Sequence, residues 1–532
     1  MKHLKYILPA MTMVLAASCS EWDDHYNNAD QNVENGATLW EQMQQHTELS
    51  DFCQVLQHTY VFRHHKKTSV SYADLLGQGQ AFTVIAPTNG TFNKDSLIAL
   101  TQTNEGDSLV EKTFVNNQIA RSNWSDVATA QKVMLMNTKN ITLGTNKAEG
   151  ISLTQSNLRA KNGILHIAAQ RLPFYYNLYE AMTGMPQFSK IGNFFKSYDE
   201  DYFDESSSVS SGIKDGVKVY VDSVIIQRNL LLNRIGLLKA EDSTYWMIAP
   251  SDAGYAKAYA AAEASYKFAS TVNKGDSLQR YFANKALIQD GIYNMNQQKS
   301  LKDSILSVQY NRYDPWFHVF YQPDQTLFSK ATKVKCSNGM LYQTDEWPFT
   351  PEQTYFQLMK TEAEYINYIT EYSKGSYNTR HQAADSISED GYLDIVPETS
   401  KSNWSMTFRL DDVLSNYYDV CVVILPQNVT GIADYNKKPN QFTATITYLD
   451  EKGNVTSYDC GGTKFNNDPL RVDTVVLAKA FKFPTTNYSI TQATNKFALT
   501  LTCAIGTQTS QNNKYNREMY LDCIYLRPAK KE

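Results

Sequence analysis

At 532 residues the chain has room for several domains of roughly 100–200 residues each. Its 42% hydrophobic and 20% charged residues are ordinary for globular domains, and a net charge of −5 excludes the basic surface that nucleic acid or an anionic membrane would call for. Tyrosine is the outlier: 35 Tyr, alongside 23 Phe and 7 Trp. Tyr and Trp present an apolar body and a polar tip, which suits wet binding surfaces and equally the strands of an exported β-rich protein.

The chain opens on a targeting segment. Lys2 and Lys5 form a charged start, Tyr6 to Ala17 an apolar stretch, and Ala16-Ala17-Ser18 the small residues before a cut. The apolar stretch is too short to span a bilayer comfortably, so residues 1–18 read as a cleaved signal. Cys19 follows, then the acidic "CSEWDDHY" with Glu21, Asp23 and Asp24, and residues 19–37 read as a tether. This arrangement resembles the lipobox of bacterial lipoproteins, with Ala16 where Leu is commonest. The resemblance implies acylation of Cys19, and each buried CH₂ of an acyl chain contributes roughly 0.8 kcal/mol to anchoring. The acidic run resembles the export signal of Bacteroidetes lipoproteins, which implies the outer face of the outer membrane. No later stretch is long and apolar enough to span a membrane. The other cysteines, Cys53, Cys336, Cys421, Cys460, Cys503 and Cys523, form no CxxC pair, and His64-His65 has no partners at ligand spacing, so no metal site is expected. Buried unpaired thiols are the default for those in strand-like runs, and disulfide pairing is left open.

Three matched segments then occur twice in the same order. "LWEQM" from Leu39 followed by "LSDF" is echoed by "LYEAM" from Leu178 followed by "FSKI", each reading as an amphipathic helix and a second one after it. "FTVIAPTNGTF" from Phe82 is echoed by "YWMIAPSDAGY" from Tyr245: a buried strand ended by Pro, then Thr-Asn or Ser-Asp to cap a helix. "NGILH" from Asn162 is echoed by "NGMLY" from Asn338: a turn dipeptide that allows positive φ, then a strand. Together these segments resemble the fasciclin domain, whose hallmarks are a strand ending in "FAPT(N/D)xAF" and a later "NG-hydrophobic-hydrophobic-H" strand. The resemblance covers residues 38–176 and 177–372 as two domains and implies an α+β fold, a compact β-sandwich with helices packed around it, used mostly for adhesion and binding. The first copy matches both hallmarks, including His166. The second departs at Met247, Ser251 and Tyr342, and Gln118 stands where the family usually has a central His. The second copy carries an excess of 24 residues before its first hallmark, and residues 197–216, acidic and Ser-rich, read as a long surface loop.

From residue 373 the pattern changes. "YSKGSYNTRHQAADSISEDG" is polar and aperiodic, which predicts a linker over 373–392. Strand-like runs at short spacing follow to residue 532 and predict an all-β jelly-roll sandwich. "SNYYDVCVVILP" and "YLDCIYLRP" resemble the galactose-binding-like sandwiches that end Bacteroidetes fasciclin lipoproteins, many of which bind carbohydrate.

No catalytic signature is present: there is no GxSxG elbow, HExxH, P-loop or dinucleotide fingerprint, so neither an enzyme nor a cofactor is expected. Trp404, Trp316 and Trp347, each beside a loop, are the candidate ligand platforms, against the commoner role of an aromatic in packing. Ser96, Ser108, Ser223, Ser277, Ser304, Ser386 and Thr474 each follow Asp and precede Leu, Ile or Val. That pattern resembles the O-glycosylation consensus of Bacteroidetes exported proteins, although Asp-Ser pairs are also ordinary caps and turns. Proteins of this resemblance often serve TonB-dependent uptake of the starch-utilisation (Sus) type. It therefore implies a lipid-anchored surface protein that captures a glycan or peptide beside a transporter and its lid lipoprotein. The alternative is an adhesin binding host matrix, other cells or biofilm.

Overall fold

The computed structural model describes residues 36–63, 66–214, 217–296, 300–308, 318–431 and 435–531. The signal segment, Cys19, His64-His65 and Trp316 lie outside the described residues. The first unit begins with helix α1 (Leu39–Gln45), opened by a capping box in which Thr38 and Glu41 satisfy each other's backbone N–H groups. Strands β1 (Phe82–Pro87) and β2 (Gly163–Ala168) are buried along their whole length and run parallel, with Phe82 opposite Gly163 and Val84 opposite Leu165. Both lie inside a seven-stranded sheet, which is why they read as continuous apolar runs.

The second unit repeats this frame. Helix α2 (Leu178–Gly184) opens on an Asn177–Glu180 capping box. Strands β3 (Tyr245–Pro250) and β4 (Gly339–Thr344) pair in parallel at the same register, Tyr245 opposite Gly339 and Met247 opposite Leu341.

A buried asparagine ties each frame together. Asn162 Oδ1 accepts from Leu39 N at 2.7 Å, and its Nδ2 donates to the carbonyls of Leu76 and Gln78 at 2.8 and 2.6 Å. Asn338 Oδ1 accepts from Leu178 N at 2.8 Å, and its Nδ2 donates to Leu238 and Ala240 at 2.9 and 3.0 Å. The following glycine is obligatory on steric grounds. A Cβ on Gly163 would stand 2.0 Å from the Phe82 carbonyl oxygen, and one on Gly339 equally close to that of Tyr245. The Asn-Gly pair is therefore more than a turn signal: it fastens the first helix and the loop before the central strand to the strand that closes the unit.

The third unit is a sandwich of two six-stranded sheets. It begins earlier than the sequence suggests, because Met359–Glu362 already pairs with Met519–Pro528. The predicted linker over 373–392 is corrected too: Gly375–His381 is an edge strand paired to Gly391–Pro397. An edge strand with most side chains in solvent lacks the apolar alternation that would reveal it. The surface loop expected over 197–216 is corrected for residues 199–214, which form a strand. Asp199–Lys214 pairs with the β-branched Val217–Asn229 as a hairpin, its polar strand held by an apolar partner.

The units share contacts. Helices α3 (Asp252–Ser265) and α4 (Gly275–Ala286) of the second unit enter the sandwich core, where the rings of Tyr266 and Phe282 both pack against Tyr488, with centroids 5.3 and 4.9 Å away. Backbone bonds from Thr486 to Lys267, Ser415 to Ser265 and Ser270 to Glu451 cross the same boundary. Between the first two units, buried Lys139 bonds Glu180 at 2.7 Å and also reaches Glu241. Its burial makes the pair structurally costly to break. Cys53, Cys336, Cys421, Cys460, Cys503 and Cys523 are all buried and unpaired. No helix among the described residues is long and apolar enough to cross a membrane.

Leaving several buried partners unpaired costs roughly 1–3 kcal/mol each, so Asn162→Ala and Asn338→Ala should each lose at least about 3 kcal/mol in urea unfolding. A loss below about 1 kcal/mol would remove the asparagines from their central role.

Candidate functional site

Two of the three tryptophans singled out by sequence, Trp404 and Trp347, fall within the described residues. Trp404 is corrected from a loop-side platform to a core residue: it is 1% exposed and its Nε1 donates to the Arg517 carbonyl at 2.6 Å. Gly375 lies directly against it, where a Cβ would come within 2.8 Å of the Trp404 Cβ. Trp347 is half-buried against Phe349, with ring centroids 4.8 Å apart. Trp316 lies outside the described residues. His166 is fully buried and structural. Its Nδ1 accepts from Asn157 N, which leaves Nε2 to donate to the Trp124 carbonyl at 2.9 Å, and burial holds its pKa below the ordinary value. The Gln118 amide bridges the Ile85 carbonyl and the Leu172 N–H, a purely internal task. Of the Asp-linked hydroxyls, Ser96, Ser277, Ser304, Ser386 and Thr474 are exposed and Ser108 is half-buried; the Ser223 side chain lies outside the described parts.

A candidate site for a ligand lies where the second unit meets the sandwich. A groove of about 390 Å³ runs between the turn Thr271–Asn273 with Leu278 of α4 on one side and residues 486–497 on the other. Its floor is apolar, with Val272, Leu278, Leu449, Ile490 and Phe497. Its rim carries the exposed hydroxyls and amide of Thr271, Asn273, Ser489, Thr491 and Thr494, and one cation, Lys496.

The wall formed by residues 486–497 is held from behind. Asn487, 3% exposed, accepts from Val413 N at 2.7 Å and donates to the Leu410 carbonyl and Asn495 Oδ1 at 2.6 and 2.8 Å. Asn495 donates in turn to the Leu410 carbonyl and to Asp411, which a bidentate Arg409 holds. Ser489 and Asp412 both sit at positive φ, 60° and 54°, joined by a 2.8 Å bond from Ser489 N to the Asp412 carboxylate. Such conformations cost about 1–3 kcal/mol each and persist where the surroundings fix them. Burial raises the Asp412 pKa; the Ser489 bond lowers it in part, and the Asp411 charge raises it further. Among the described residues lining the groove there is no carboxylate, imidazole or thiol, so it offers binding groups and no acid–base pair.

Among the described residues no group of three or more His, Cys, Asp or Glu is arranged to hold a metal ion. A buried charge cluster lies in the sandwich, where Glu362, Glu364 and Asp522 are each at most 6% exposed and Lys360 pairs with Glu362 at 2.7 Å. Burial raises the Asp522 carboxyl to about 6; the Ser388 N–H opposes this and the Glu362 charge adds to it. A carboxyl raised in the folded state contributes stability at low pH, and that contribution is lost as pH rises through about 6. Asp522→Asn should therefore raise Tm at pH 7.5 in chelating buffer and change it little at pH 4. An unchanged Tm at pH 7.5 would remove Asp522 as a source of that strain.

No protein-family model matches the chain. The curated proteins contain no match either. Among solved structures, a FAS1 domain pair from the insect cell adhesion molecule fasciclin I matches at 11% identity and TM-score 0.19, over 52% of this chain and 90% of that one. The CBM22-1 and GH10 modules of a Clostridium thermocellum xylanase match at 10% identity and TM-score 0.19, over 30% of this chain and 26% of that one. The CBM22-1 xylan-binding domain from Paenibacillus barcinonensis matches at 8% identity and the same TM-score, over 30% of this chain and 87% of that one. Similarity at these scores defines neither the fold nor the ligand of this chain.

Proposed function

We propose that the chain is a non-catalytic binding protein that takes a neutral, polyhydroxylated ligand, an oligosaccharide, in the groove between its second unit and its sandwich. The groove chemistry carries this reading: an apolar floor for sugar C–H faces, a rim of hydroxyls and amides for sugar hydroxyls, and walls fixed before any ligand arrives. The acylatable Cys19 and the acidic run after it support placement by a lipid anchor on the outer face of the outer membrane. On that surface the protein serves as the accessory of a TonB-dependent transporter of Sus type and its lid lipoprotein, and confinement raises its effective concentration beside them. Exposed Ser96, Ser277, Ser304, Ser386 and Thr474 are offered as glycosylation acceptors on the same surface.

Thr491→Trp, which fills the groove from its exposed rim, should weaken binding of a neutral oligosaccharide found by array screening at least roughly tenfold and leave Tm unchanged. If no neutral oligosaccharide on the array binds the wild-type chain, the groove reading fails, and binding to matrix protein instead would favour an adhesin. Cys19→Ser should release the protein from the membrane fraction and abolish incorporation of labelled palmitate; retention of the label would exclude Cys19 as the anchor.

A further inference from the structure

The floor of the groove runs on into the outer face of one sheet of the sandwich. Leu449, which lines the groove, ends strand Gln441–Leu449, and Phe497, which also lines it, immediately precedes the neighbouring strand Ala498–Cys503. Successive side chains of a strand point to opposite faces. Phe442, Ala444 and Ile446 of the first strand and Leu499, Leu501 and Cys503 of the second lie in the sandwich core. The residues between them therefore face outward. Thr447, Thr445 and Thr443 lead away from Leu449 in one file, and Thr500 and Thr502 form a second file beside it. Strand Ser405–Arg409 adds a third, with Met406 and Phe408 in the core and Ser405 and Thr407 outside.

Register sets the files side by side. Thr445 stands opposite Thr500, and Thr500 opposite Thr407; Thr443 stands opposite Thr502, and Thr502 opposite Ser405. All six are half-buried, so they form a continuous layer. The hydroxyls of Ser405 and Thr502 bond each other at 3.1 Å and those of Thr407 and Thr500 at 2.9 Å. A hydroxyl has one O–H and two lone pairs, so each such pair still has one O–H and three lone pairs for a ligand.

The layer is neutral. Acids stand only at its borders, Glu371 opposite Thr407 on one edge strand and Asp459 opposite Thr445 on the other. The outer face of the other sheet differs: Asp394, between the core residues Leu393 and Ile395, pairs there with Arg380 at 3.0 Å. Threonine favours strands, so outward threonines alone would signal nothing. What singles these out is that two of their files begin at the groove floor.

We propose that the ligand of the groove is a polymer: a neutral polysaccharide that leaves the groove over Leu449 and lies along these files, its hydroxyls bonding Thr445, Thr500, Thr443 and Thr502. This rests on the reading of the groove given above. From Leu449 to Thr443 is six residues of strand, which extends the site by about 20 Å. A short oligosaccharide fills the groove alone, and a long chain meets both surfaces. A neutral hydroxyl exchanges a bond to water for a bond to sugar, so each contact is weak and the gain accrues with chain length.

The test is titration calorimetry of the full chain with three-ring and eight-ring members of the cello-, xylo-, manno- and malto-oligosaccharide series. In at least one series the eight-ring chain should bind roughly tenfold or more tightly than the three-ring one. Thr500→Val combined with Thr502→Val removes two outward hydroxyls and keeps strand propensity. It should cut that gain to below about threefold and leave the three-ring affinity unchanged. Thr491→Trp should weaken both lengths. Equal affinity for the two lengths, or a length gain that survives the valine pair, would overturn the proposal and leave the groove reading standing. Length-dependent binding untouched by Thr491→Trp would overturn the groove reading and the path proposed from it. Binding of neither length in any series would remove both.

Discussion

Each of the first two units depends on one buried side chain. Asn162 and Asn338 each join three backbone groups from chain segments far apart in sequence, and the glycine after each lets a parallel strand pass against the preceding one. A buried amide with every group satisfied is directional in a way that apolar packing is not. It sets where the first helix begins and fixes the register of the central strands, Phe82 on Gly163 and Tyr245 on Gly339. The same geometry from different side chains around it shows that the constraint, not the surrounding packing, defines the unit.

Once the second unit is fixed, the segment just after α3 presents Tyr266 and Phe268, and α4 presents Phe282, to the sandwich, and the boundary becomes a continuous core. Backbone bonds across that boundary leave little freedom between the two units. A groove on such a seam needs no hinge to close on a ligand. Its walls are paid for by folding, so a weakly interacting, hydrated ligand loses less affinity to ordering. The positive φ at Ser489 and Asp412 fits this view, since strain of that kind is kept where surrounding bonds hold it.

Much of the fold was legible in the sequence because it is written in buried, doubly covered strands. Phe82–Pro87 and Gly163–Ala168 are buried throughout and Tyr245–Pro250 all but Trp246, while Gly339–Thr344 is half-buried at Gly339, Met340 and Gln343; the repeat of their order marks two units. The misses lie at edges and surfaces. Gly375–His381 and Asp199–Lys214 are strands whose polar side chains carry no pattern, and only their partners declare them. The candidate site was legible least. Trp404 sits beside a loop in the sequence yet points inward, pinned by a bond to a carbonyl 113 residues away. Apart from Ile490, the groove residues between Ser489 and Lys496 are polar, so nothing distinguishes them from an ordinary turn until Thr271 and Leu278 are placed opposite.

The most direct measurement is hydrogen–deuterium exchange of the full chain with and without a neutral oligosaccharide that binds it. The account predicts added protection confined to residues 271–278 and 486–497, the two walls of the groove. Protection spread over the edge strands of the sandwich or confined to the first unit, with these two segments unchanged, would contradict it.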